Sequence, residues 1–156
     1  MLVLLSLLFA CSGNNTLGTD ASTQMDTIRN LAENHVTSVS AISSTSEIAA
    51  LETSYTTDWD VDMGDMSSRV GDMMTCMGMD SSGMGSSSDT TWVTDMSQRV
   101  DDMNTDHSSH DDDMSTCDSM GTCLDDENAN LDTVTANLDA METDLSSWDD
   151  KMSCDK

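Results

Sequence analysis

Apolar residues recur at alternating steps of three and four along most of this chain, the mark of helices that pack against other helices. One seam runs Val93, Met96, Val100, Met103, then His107, His110, Met114 and Cys117 without a break in register. A second runs Met25, Ile28, Ala32, His35, Val39 and Ile42, and a third Leu131, Val134, Leu138, Met141, Leu145, Trp148 and Met152. The remaining seam starts at Ile48, Leu51 and Tyr55, takes two successive steps of four through Trp59 and Met63, and resumes at Met66, Val70, Met73 and Met77. Two fours in a row are a stutter, which predicts a weak point in that helix. The pattern predicts an all-α fold: an antiparallel, up-down-up-down four-helix bundle with coiled-coil-like seams over residues 20–156.

Breakers and caps set the expected boundaries. Thr19 or Asp20 is placed to cap the first helix, and Ser44-Thr45-Ser46-Glu47 reads as a capping box for the second. The Gly- and Ser-rich residues 77–89 form the clearest loop. Gly121 is the expected stop of the third helix, with Asp125, Asp126 and Glu127 at the start of the fourth, where the helix dipole favours acid. DMSSRVGDM at 65–73 recurs as DMSQRVDDM at 95–103, so the helices flanking the loop read as a duplicated hairpin.

The first ten residues, MLVLLSLLFA, are apolar but too short to cross a bilayer, which takes roughly 20 residues; they read as a signal peptide. The sequence Leu8-Phe9-Ala10-Cys11 that ends this run resembles the lipobox of bacterial lipoproteins. The resemblance implies cleavage before Cys11, lipidation of its thiol and new amino terminus, and an exported protein anchored in the bacterial cell envelope, at the periplasmic face or the cell surface. Residues 11–19 then make up the lipidated cysteine and a flexible tether. The heptads and the terminal Lys156 also resemble the envelope lipoproteins that join peptidoglycan through a C-terminal lysine. The basic residues that precede that lysine in the family are missing here.

Charge narrows the partners. With 30 acidic against 5 basic residues the formal charge is -25, which argues against nucleic acid and anionic lipid surfaces. It favours a cationic or envelope-protein partner, or metal ions. Seams exposed on a single chain would point to a homo-oligomer.

The cysteines test the topology. With Cys11 set aside for lipid, Cys76, Cys117, Cys123 and Cys154 remain, and export favours disulfides. Cys117 and Cys123 flank one turn; Cys76 and Cys154 fall at the same end of an up-down-up-down bundle. The expected pairs are therefore 117–123 and 76–154.

All three histidines sit on seams. At about 1.5 Å per residue, His35 reaches nearly the height of His107 and His110, and folding back the second helix brings Glu52 to the same level. Asp132 is the matching carboxylate expected from the fourth helix. Three imidazoles and a carboxylate inside a bundle would suit zinc, copper or nickel. The 15 methionines offer Cu(I) a softer set around 73–84, although most of them fall on seams where Met packs like Leu. Asp58, Asp60 and Asp62 alternate as in a calcium loop, but Met63 stands at its glycine position and Arg69 at its bidentate glutamate. No catalytic arrangement or phosphate loop can be picked out, so no enzyme is expected. Two roles are left: a non-catalytic lipid-anchored protein, structural or partner-binding, or an envelope metal-binding protein for copper or zinc, with His35, His107, His110 and Glu52 as ligands.

Overall fold

Serine, threonine and aspartate are weak helix formers, yet the described residues of this chain, rich in all three, are almost wholly helical. Hydroxyls on exposed faces bend back to the carbonyl four residues earlier, as Thr23 does to Thr19, Thr53 to Ala49 and Thr105 to Asp101. Such back-bonding slightly weakens a helix, so packing of the seams decides the fold.

A computed structural model describes residues 14–79 and 90–151. Within them lie α1 (Asn14–Ala41), α2 (Ile48–Cys76), α3 (Thr91–Thr116) and α4 (Met120–Lys151), with a short 3-10 turn at Thr45–Glu47 ahead of α2. Contacts run around a ring, α1 to α2 to α3 to α4 and back to α1. Partner numbers fall on one helix as they rise on the next: Gln24 bonds Asp62 while His35 meets Glu52, and Arg99 meets Asp144 while His110 meets Glu127. All adjacent helices are thus antiparallel, as the expected bundle requires.

The seams form the core within the single chain. Met25, Ile28, Trp59, Met66, Met73, Val93, Met96, Met103, Leu138 and Met141 are all fully buried. Among the described residues, Val61 is the exposed large hydrophobic side chain. None of the described helices is long and apolar enough to cross a membrane.

Four local expectations change. The first helix opens at Asn14, so residues 14–19 continue it instead of forming a tether. Its seam extends back through buried Ala21, with Leu17 packed on the core. The stutter does not weaken α2, which runs unbroken from Ile48 to Cys76, because the broad indole of Trp59 and the flexible Met63 both reach the core. The second helix starts after Ser44 caps the 3-10 turn by accepting the Ser46 N–H, instead of directly from a capping box. The fourth helix begins at Met120, with Gly121 in its first turn, because Ser119 accepts the Thr122 N–H on its side chain and the Cys123 N–H on its carbonyl.

The loop after α2 starts as expected. Gly78 takes a positive φ of 70°, Met79 N–H bonds the Met74 carbonyl and Gly78 N–H bonds that of Thr75. This is the Schellman arrangement, which favours glycine at its left-handed position.

At the end where α1 meets α2 and α3 meets α4, a disulfide joins Cys117 and Cys123, with Cα atoms 5.5 Å apart. Cys123 packs with Ile48 and Met114 in a small apolar cluster separate from the main core. Cys154, the expected partner of Cys76, and the Cys11 anchor lie outside the described residues, as do the signal peptide and Lys156.

Candidate metal centre

Between the small cluster and the main core the apolar seams are interrupted by one polar layer. Each helix contributes one member: His35 from α1, Glu52 from α2, His110 from α3 and Glu127 from α4. Their side chains are 5%, 13%, 4% and 1% exposed, so water does little to stabilise their charges.

The geometry is convergent. His35 Nε2 lies 2.9 Å from Oε1 of both Glu52 and Glu127. His110 Nε2 lies 3.4 Å from Glu127 Oε1 and 3.8 Å from Glu52 Oε2. One ligand atom from each residue falls within 4.8 Å of every other. Around a zinc-sized ion with bonds of about 2.0–2.2 Å, tetrahedral ligands stand about 3.4 Å apart; the observed separations bracket that value. His110 Nε2, Glu52 Oε2 and Glu127 Oε2 are buried and have no hydrogen-bond partner, the condition a bound cation relieves.

Electrostatics tie the layer together. Burial by itself would lower the His35 pKa, but the hydrogen bonds and charges of Glu127 and Glu52 outweigh it and raise it to about 9. Burial would raise Glu127, yet His110 and His35 hold it down at about 2. Glu52 moves up, chiefly through burial and despite its bond to His35. Two carboxylates thus share one protonated imidazole. With both imidazoles neutral, the four side chains would carry two negative charges, which a divalent ion would neutralise.

An aromatic floor supports the layer on its main-core side. Tyr55 stacks on the His35 ring at 4.0 Å, and Trp59 stacks on His107 at 4.7 Å. The Trp59 indole N–H donates to Asn104 Oδ1. Burial raises the Tyr55 pKa above its ordinary value, keeping the phenol neutral.

Three of the four ligands expected from sequence therefore come together: His35, Glu52 and His110. His107 does not join them. It lies one turn away, 3% exposed, its ring nitrogens without hydrogen-bond partners and its nearest carboxylate, Asp111, at 3.8 Å; burial lowers its pKa. Asp132, the carboxylate expected from α4, is exposed, and Glu127 takes that place. Extending the α4 seam backward from Val134 through Asn130 in steps of four and three reaches Glu127 and then Cys123; the signal was present but fell at the expected helix start, where acid reads as a response to the dipole. Of the methionines that fall off the seams, Met74 packs against the main core, Met120 against the small cluster, and Met79 is buried. Met84 lies outside the described residues.

Comparison of the chain with protein-family models, curated proteins and solved structures gives no match.

Proposed function

We propose that this chain is a metal-binding four-helix bundle, holding one divalent transition-metal ion between His35, Glu52, His110 and Glu127. The observation that carries the reading is one candidate ligand from every helix, three buried and Glu52 partly buried, converging on one point with nitrogen and oxygen atoms that make no hydrogen bond. Stability alone does not account for such a layer, since buried ion clusters are commonly replaced by apolar residues at no loss or with a gain. Two imidazoles and two carboxylates suit zinc or Cu(II), with no sulfur in the set to favour Cu(I). Of the two roles expected from sequence, this favours the metal-binding one over a purely structural or partner-binding lipoprotein. The lipobox-like N-terminus supports an exported, lipid-anchored protein that sequesters or senses the ion at the envelope.

Equilibrium titration of the full chain with Zn(II), and with Co(II) as a spectroscopic substitute, tests the reading. One ion per chain is expected. Glu127→Gln should weaken binding by more than the roughly 10–100-fold typical of residues that only support a ligand, and His107→Phe should weaken it by less. Weak, salt-sensitive binding that ignores Glu127→Gln would assign the ions to the acidic surface and overturn the proposal.

A further inference from the structure

The metal layer is closed along the bundle axis by the aromatic floor on one side and by Ile48, Met114 and Cys123 on the other. An ion must therefore enter sideways, and two openings flank α3. One is a cleft of about 200 Å³ between α3 and α4, the other a groove of about 490 Å³ between α2 and α3.

The smaller cleft has the better chemistry. On α3 it is lined by Asp106, Ser109, His110 and Asp113, a stripe at spacings of three, four and seven that forms one helix face. The facing stripe on α4 has the same spacing: Asp126, Ala129, Asn130 and Thr133. In each, the third member is buried and makes the floor, His110 at 5% and Asn130 at 8% exposure. The small second members, Ser109 and Ala129, leave the gap above it, and Ser109 turns its hydroxyl back to the Thr105 carbonyl. Three carboxylates stand at the mouth. The floor residue His110 carries the cleft through to the metal layer: its buried Nε2 makes no hydrogen bond and lies 3.4 Å from Glu127 Oε1 and 3.8 Å from Glu52 Oε2. The cleft is open to solvent and wide enough to admit water molecules, and so a cation that keeps part of its hydration shell.

The wider groove reaches Glu52 but is lined partly by Ile48 and Met114. Its one outer carboxylate, Asp111, already accepts the Thr56 hydroxyl on both oxygens at 3.1 and 3.2 Å. It offers an incoming ion less.

We propose that the divalent ion enters through the α3/α4 cleft, where Asp106, Asp113 and Asp126 form an outer station that captures the hydrated cation and passes it to His110. This rests on the metal-binding reading. Stopped-flow mixing of the full chain with Co(II), and chelator-driven release, test it. Changing Asp106, Asp113 and Asp126 together to Asn should slow association about tenfold at low ionic strength, with a smaller effect in high salt. Ala129→Met, which plugs the cleft, should slow association and release by a common factor and leave the equilibrium constant unchanged. Ala49→Met, the matching plug of the α2/α3 groove, should alter neither rate. Slowing by Ala49→Met with normal rates in Ala129→Met would overturn the route, as would an unchanged association rate in the triple variant. Failure of the unaltered chain to bind Co(II) at equilibrium would instead remove the metal-binding reading itself, and the route with it.

Discussion

His35 carries the pH response of the metal-free protein. Its folded pKa of about 9 stands above the unfolded value of about 6.5, so its stabilising contribution is complete below about pH 6.5 and is lost as pH rises through about 9. Glu127 acts in the opposite sense: held at about 2, it contributes above about pH 4.5 and loses that contribution as pH falls toward 2. Both contributions are present together between about pH 4.5 and 6.5. In the presence of a chelator, moving from about pH 6 to pH 9.5 should therefore lower the unfolding free energy by up to about 3 kcal/mol, measured by urea denaturation. His35→Gln should flatten that slope. Both expectations concern one shared interaction, so the His35 and Glu127 effects are not to be added. At this scale the sequence was informative where heptad phase applied. His35 and His110 were found because they occupy seam positions, and Glu52 because helix two must fold back beside His35. His107 has the same phase and the same residue type, and only the placement of Trp59 and Tyr55 shows that its ring packs instead of converging.

The helices themselves were the most legible elements, since each seam position is chosen by one physical requirement, removal from water. Their ends were less legible, because an end is decided by a few local hydrogen bonds. Gly121 looks like a terminator and is in fact a first-turn residue. That misplaced boundary hid Glu127, which falls two turns inside α4 and looks in sequence like acid at a helix start. Trp59 and Met63 show the converse case, a stutter that packing absorbs. The disulfide belongs to this scale. It closes the α3–α4 turn one helical turn from Glu127 and two from His110, so it holds those ligands in register. Replacing Cys117 and Cys123 by Ser should lower stability by about 2 kcal/mol, as expected for a loop this short, read from the urea midpoint. The same variant should bind the ion more weakly.

Over the whole molecule, the large excess of acidic side chains sets the sign of the salt response. The three arginines each bridge neighbouring helices: Arg29 reaches Asp139 and Glu142, Arg69 reaches Asp20, and Arg99 reaches Asp144. Salt weakens these partly exposed pairs, worth at most about 1 kcal/mol each. It also screens repulsion among 30 acidic residues, and the larger number of repulsive pairs wins. The thermal midpoint of the metal-free chain should therefore rise from low salt to about 0.5 M NaCl, where the Debye length is well under 10 Å. A fall would show that the arginine bridges dominate. The distribution of ligands, one on each helix, also imposes an order in time. Neither hairpin alone can assemble the set, and the last member, Glu127, is also the last to be synthesised. On the metal-binding reading, a partly folded chain therefore has no complete site with which to trap an ion in the wrong arrangement, and loading becomes a checkpoint that only the finished bundle passes.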